Sequence, residues 1–224
     1  MTLNKIALHG HKGKLGSLIY RLAIQKELEV FELTRETTLS ELINSGSQVI
    51  IDVTSAKGLR ELLEKVSEGS NIPILSGSTG DLPVTDLEDF GRKNAIAIVS
   101  NFSVGVPLLL ELVKIATNIL PSGWDIEVVE VHHNKKIDAP SGTAKRIVQA
   151  IQTGLSKNPD LNIADIPAHA LRVGDTFGEH TVWMCGPGER LEIKHVATKR
   201  EVFAIGAIRW AEWLITQSKG LYRP

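Results

Sequence analysis

Residues 132–144 read HHNKKIDAPSGTA. Two histidines and two lysines precede Asp138, Pro140 and a Ser-Gly-Thr that opens a helix. Histidine exchanges protons near neutral pH, whereas lysine keeps a compact positive charge. A helix starting there aims the backbone N–H groups of Gly142 and Thr143 outward, where a carboxylate is welcome. Together these residues meet one chemical need: holding a small polyanionic substrate while a nearby histidine supplies a proton. Adjacent strand side chains point to opposite faces, so His132 and His133 share a site only where the strand ends and the chain bends. Metal ligation fits less well, because ligands usually come at helical or hairpin spacing with a Cys or acid cluster; no metal is expected. Read in isolation, the stretch is first of all a solvated basic loop before a capped helix.

A second stretch, HGHKGKLGS, spaces Gly10, Gly13 and Gly16 three apart between a strand-like run and a helical one. Glycines there let the backbone turn tightly and approach a pyrophosphate at a helix N-terminus. The spacing is not G-x-G-x-x-G, since position 12 is lysine. Nor is it a phosphate-binding P-loop, since Lys14 is followed by Leu15. An ordinary tight turn is the plain alternative. The second strand ends LTRET, with Thr34 and Arg35 where an acid usually meets the adenosine ribose. Glu36 stands one residue further on. Arg35 favours a 2′-phosphate, so NADPH is expected, with NADH left open; Arg35 as a solvated charge is the bland alternative. SGSTG (76–80) and SNFSVG (100–105) follow later strands at the end where open α/β sheets bind ligands. Each alone reads as a turn.

These stretches need a frame. KIALHG, Val30–Leu33, QVIIDVT (48–54), NIPILSG (71–77) and NAIAIVSN (94–101) alternate with helical periodicity over 14–26, 39–44, 57–66 and 85–93. Such alternation predicts a parallel sheet covered on both faces, a dinucleotide-binding α/β domain of Rossmann type. The second half differs. A helix over 104–120, the strand WDIEVVEVHH, and a helix through 142–152 lead past a polar stretch (156–167). AHALRVG, EHTVWM and ERLEIKHVA then follow without intervening helices, predicting an antiparallel or mixed sheet in an α+β domain. The segment 203–217 is amphipathic and reads as a last helix. The boundary falls near Asn101–Ser103. With 224 residues, 42% of them hydrophobic, the chain can bury one large core or two small ones. A net charge of −1 argues against nucleic-acid or anionic-membrane binding. Lone Cys185 permits no internal disulfide and fits a reducing compartment; neither a membrane span nor a signal peptide is read, so a cytoplasmic setting is expected.

VEVHHNKKIDAPSGTA strongly resembles the signature of the 4-hydroxy-tetrahydrodipicolinate (dihydrodipicolinate) reductase family. GHKGKLG, SGSTG, NFSVGV, GEHTV, GERLEIKHVATKR and FAIGAIRWAEWL resemble further blocks of that family in order, so the likeness runs from about residue 5 to 221. It implies reduction by NAD(P)H of an unsaturated cyclic imine bearing two carboxylates, in the diaminopimelate route to lysine. It implies His132 as proton donor and Lys136 as second catalytic residue. His133, Gly142 and Thr143 would bind substrate. Cofactor contacts would come from Gly10, His11, Lys12, Gly13, Lys14 and Leu15, from Gly77, Ser78 and Thr79, and from Val99, Ser100, Asn101 and Phe102. It implies residues 1–102 and 201–224 as the dinucleotide-binding domain, with 103–200 for substrate binding and assembly, commonly into a homotetramer. The chain departs from the pattern by deletions after Arg35 and in 156–167, by Thr34 in place of an acid, and by Pro107 in place of asparagine. A nucleotide-binding sensor without catalysis, and an amino-acid dehydrogenase on a related plan, are the competing readings. The intact His132, Lys136, Gly142 and Thr143 oppose the first, and the Asp-Ala-Pro-Ser-Gly-Thr element opposes the second.

Overall fold

The apolar runs of the first hundred residues form five strands in the computed structural model, which describes residues 2–67, 69–161 and 165–223. They are β1 (Lys5–His9), β2 (Glu29–Leu33), β3 (Val49–Asp52), β4 (Ile74–Ser76) and β5 (Ala95–Ile98). Between them lie α1 (Lys14–Gln25), α2 (Leu39–Asn44), α3 (Ala56–Ser67) and α4 (Val84–Lys93). Short α2 is fixed by a capping box: Thr38 Oγ1 accepts from the Glu41 N–H at 3.2 Å, and the Glu41 carboxylate accepts from the Thr38 N–H at 2.8 Å. Next come α5 (Gly105–Asn118), β6 (Asp125–His132), α6 (Gly142–Leu155), β7 (Ala168–Arg172), β8 (Glu179–Gly186) and β9 (Glu189–Val196), before α7 (Glu201–Leu214) and β10 (Gly220–Tyr222).

The chain divides into two compact units, Met1–Phe102 with Glu201–Pro224, and Ser103–Arg200. In the first, six parallel strands are ordered β10-β5-β4-β3-β1-β2. Strands covered on both faces read as unbroken apolar runs. Alternate residues accordingly split between two cores. Ile6, Leu8, Val49, Ile51 and Leu75 meet α1 and α7, whereas Ala7, Ile50, Ile74 and Ile96 meet the other helices. Chain order reverses between β1 and β3, the switch point at which open sheets bind ligands, and the glycine loop leaves β1 there. Strand β10 is an addition to the sequence reading: three residues give no periodicity to detect.

In the second unit the sheet order is β7-β6-β8-β9, with β7 parallel to β6 and the other pairs antiparallel. One face packs on α5 and α6 through Ile126, Val128, Val182, Met184 and Ile193. The polar stretch 156–167 is described only in part, residues 162–164 lying outside the described residues. Among the described residues no helix is long and apolar enough to cross a membrane.

Candidate active site

Strand alternation builds the first half of the site. Ile126 and Val128 face the core, and Glu130 and His132 continue the same buried row. The strand stops at His132 and the chain bends at once. The His133 N–H donates to the Thr176 carbonyl at 2.8 Å, and the Lys136 N–H to the His133 carbonyl at 3.1 Å. The Lys136 ammonium donates to both Asp138 oxygens, at 2.7 and 2.9 Å, so Asp138 orients the lysine. That bond, before all else, holds the Asp138 carboxyl below its ordinary range. A cis Ala139–Pro140 bond leads to Ser141, the N-cap of α6, whose Oγ accepts from the Ala144 N–H at 3.1 Å. Gly142 opens the helix with no described atom near where a Cβ would sit, and Thr143 follows.

His132 is only 8% exposed. Its Nδ1 faces Glu130 Oε2 at 3.6 Å, and its Nε2 lies beside Gly178. A Cβ at Gly178 would stand 3.1 Å from that nitrogen, at a φ of +140° that side chains rarely adopt, so glycine keeps Nε2 clear. Burial pushes the His132 pKa down, opposed by the Glu130 charge and assisted by Lys136 and Arg172.

In the first unit the loops at the carboxyl ends of the strands converge on Asp52. Its fully buried carboxylate meets His9 Nδ1 at 3.0 Å and accepts from the hydroxyls of Thr54 (2.6 Å), Ser76 (2.7 Å) and Ser78 (2.8 Å). Burial raises its pKa, but the His9, Thr54 and Ser76 hydrogen bonds outweigh burial and leave it lowered. One carboxylate therefore ties the strand before the glycine loop to SGSTG. Gly10 has a φ of +93°, and a Cβ on Gly16 would overlap the Gly10 carbonyl, so helix and loop meet only as glycines. Gly13 caps α1 and offers that helix no side-chain acceptor. His11 stands 3.2 Å from the Glu32 carboxylate; Lys12 and Lys14 are exposed and Leu15 is partly buried. Gly77 lies on the Phe102 ring, the Val99 N–H donates to the Ser76 carbonyl at 2.9 Å, and Thr79 and Ser100 are exposed beside partly buried Asn101. Past β2, a cavity of about 280 Å³ is lined by His9, Leu33, Thr34, Arg35, Glu61 and Lys65, among others. A larger one, about 450 Å³ between α3 and α4, lies at the opposite, amino-terminal edge of the strands.

Residues 105–223 match the family described as "Dihydrodipicolinate reductase, C-terminus". The 4-hydroxy-tetrahydrodipicolinate reductase of Pseudoalteromonas translucida is 35% identical, covering 99% of this chain and 97% of its own. That of Xanthomonas euvesicatoria is 36% identical, covering 98% and 95%.

The chain belongs to this reductase family.

Among solved structures, a dipicolinate-bound dihydrodipicolinate reductase from Paenisporosarcina sp. TG-14 shares the fold, with a TM-score of 0.76 at 20% identity over 99% of this chain and 98% of its own. Within the reductase fold, three functional candidates escaped the sequence reading. Glu130, Arg172 and His180 surround His132. Arg172 Nη2 donates to Glu130 Oε1 at 2.9 Å, and His180 Nε2 stands 3.6 Å from Glu130 Oε2. A signal for Glu130 existed, because it lies two residues before His132 and so shares its face. Arg172 and His180 depend on strand register, which the sequence does not reveal. Glu130, His132 and His180 present donor atoms within 4.8 Å of one another, an acid beside histidines that the sequence reading did not place there. The positive charge this carboxylate calls for is already supplied by Arg172. The reductase thus holds an acid–base network at the end of β6. Asp52 was likewise missed: it reads as one more residue of a buried strand.

Proposed function

We propose that this chain reduces 4-hydroxy-tetrahydrodipicolinate with NAD(P)H, giving tetrahydrodipicolinate and water in the diaminopimelate route to lysine, with His132 as proton donor and Lys136 as second catalytic residue. The observation that carries the assignment is the convergence of His132, the Asp138-held Lys136 and the start of α6 around Glu130. A carboxylate of the substrate meets the Lys136 ammonium and the first turn of α6 at Gly142 and Thr143, with His133 alongside. Reduction at a ring carbon moves electron density towards the ring nitrogen, and a proton must arrive as it does. His132 Nε2, kept clear by Gly178, is the atom that delivers it.

The fit for a dinucleotide rests on the glycine loop. Only glycines allow the Gly10–Gly16 approach, and the uncapped start of α1 suits a pyrophosphate. Gly10, His11, Lys12, Gly13, Lys14 and Leu15 would hold the phosphates, Arg35 the ribose end, and Gly77–Thr79 with Val99–Phe102 the nicotinamide end. The bound nicotinamide would supply hydride. NADPH is the preferred form on this reading, because Arg35 is exposed beside the 280 Å³ cavity and Thr34 adds no negative charge. A cytoplasmic setting follows from the biosynthetic role and lone Cys185. A homotetramer joined through the open sheet face, where Val129, Val131, Leu171 and Trp183 lie opposite α5 and α6, completes the proposal.

The test is NADPH oxidation followed optically, with substrate made in situ from pyruvate and aspartate semialdehyde. Substrate-dependent consumption is expected. Its absence in folded protein would overturn the proposal.

A further inference from the structure

We propose that Glu130 is a positioning residue for the reduction, holding His132 with its proton-bearing Nδ1 turned inward and Nε2 turned to the substrate, with Arg172 and His180 setting its strength. The inference rests on His132 being the proton donor, as above, and adds what makes it one.

Glu130 is 1% exposed. A carboxylate so deeply buried requires partners. Oε1 is fully used, accepting from the Ser141 N–H at 3.0 Å and from Arg172 Nη2 at 2.9 Å. Oε2 is aimed at two rings, His132 Nδ1 and His180 Nε2, each at 3.6 Å, and has no hydrogen-bond partner among the described residues. His132 Nδ1 is equally unpartnered. Catalytic hydrogen bonds are often long before substrate binds and tighten in the complex. The rings meet edge to face with centroids 5.1 Å apart, which fixes the tilt of His132.

The same carboxylate organises the other half of the site. Through the Ser141 N–H it anchors the cap of α6. Through Arg172, whose Nη2 also donates to the Asp138 carbonyl at 2.5 Å, it reaches the loop carrying Lys136. Proton donor, lysine and helix start are therefore referred to one buried charge. In the turnover step the Nε2–H bond of the imidazolium breaks and the proton bonds to the substrate. The N–H electron pair stays on the ring, and the neutral imidazole keeps its Nδ1–H against Oε2. Water restores the proton.

The charges facing His132 are Glu130 on its own strand, Lys136 and Asp138 from the loop, Arg172 from β7 and His180 from β8, with His195 of β9 paired behind His180. Glu130 and Asp138 favour the imidazolium; Lys136 and Arg172 oppose it.

The experiment compares pH profiles of kcat/KM for the dicarboxylate substrate in the wild type, Glu130→Gln, His180→Phe and His132→Ala. Glu130→Gln should lose roughly 10–10²-fold in kcat, a fraction of what positioned proton transfer supplies. Its histidine limb should move to lower pH, with KM for NADPH unchanged. His180→Phe keeps a ring but removes the second imidazole that faces Oε2, whose Nε2 also lies 3.4 Å from Ser141 Oγ. It leaves His132 as the one ring nitrogen facing that oxygen, so its limb should move to higher pH. Opposite shifts are not what a merely structural role gives. Histidine ring nitrogen shifts in the wild-type protein provide a measurement that needs no variant: neutral His132 should carry its proton on Nδ1, and an Nε2–H tautomer would overturn the inference. If His132→Ala keeps its turnover, the proton-donor assignment itself fails. If His132→Ala is inactive while Glu130→Gln keeps the wild-type rate and profile, only the positioning role fails.

Discussion

Arg35 Nε stands 3.3 Å from Glu61 Oε2, at the mouth of the cavity that follows β2. The pair is exposed, so its own contribution to stability is small. On the proposed NADPH reading its effect on recognition should be larger, because Glu61 partly satisfies the cation that would meet a 2′-phosphate. Arg35→Ala should raise KM for NADPH several-fold and leave that for NADH nearly unchanged. Glu61→Gln should act in the opposite direction, lowering KM for NADPH. Steady-state kinetics with both cofactors decides it, and equal effects on the two would refute the role of Arg35.

Asp138 holds the Lys136 ammonium in place, and on the proposed reading Lys136 serves both substrate binding and charge stabilisation. Lys136→Ala should lower kcat by ~10²–10⁴-fold and raise substrate KM, whereas His132→Ala should lower kcat with less change in KM. Both should titrate NADPH fluorescence like the wild type, since the glycine loop belongs to the other unit. Near-normal turnover in folded Lys136→Ala would show the site to be misplaced.

Acid should loosen the second unit before carboxylates protonate. Burial, and then the His132 charge, push His180 down to about 4, and burial likewise lowers His132 and His195. A histidine depressed in the fold binds protons more readily when unfolded. Its contribution is therefore whole above about pH 6.5 and is lost as pH falls from there towards 4. For His180 alone that is ~3 kcal/mol. Urea denaturation midpoints should be flat from pH 8 to 7 and fall by pH 5, and His180→Phe should flatten the slope. A slope unchanged in that variant would exclude His180 as its source.

The open sheet face offers a check on assembly. Trp183 is 38% exposed there, with the Arg190 guanidinium 5.0 Å from its ring centroid. Light scattering at micromolar concentration should give an oligomer, and Val131→Asp should shift it towards monomer. A clean monomer for the unaltered chain would refute the tetramer.

Gly16→Ala should weaken NADPH binding more than 10-fold and lower the melting temperature, because the new methyl overlaps the Gly10 carbonyl. Calorimetry and cofactor titration measure the two effects. A variant that matches the wild type in both would mean the loop yields easily.

What the sequence made legible follows from range. The Gly10–Gly16 turn, the strand ending at His132 and the helix opening at Gly142 are local patterns, each set by a few neighbouring residues. Even the bend after His132 could be inferred, because two adjacent histidines cannot share one strand face. Glu130 was legible in principle from the two-residue period, yet its value appears only when Arg172 and His180 arrive from β7 and β8. Asp52 looked like strand filler because most of its partners lie far along the chain, His9 at the end of β1 and Ser76 and Ser78 at and just past the end of β4, with only Thr54 nearby. Strand β10 is too short to carry a pattern and is defined by its pairing with β5.

That last pairing bears on how the chain is made. The first sheet acquires its sixth strand, and one face of its core acquires α7, from residues translated after the whole second unit. On the ribosome, Ser103–Arg200 can therefore complete its core while the earlier unit still waits with one face uncovered. A stalled or clipped chain ending at Arg200 would keep an intact second unit but an adhesive, unfinished first one. Quality control should meet that species first, and ribosome-arrested chains probed with protease would show the second unit protected before the first.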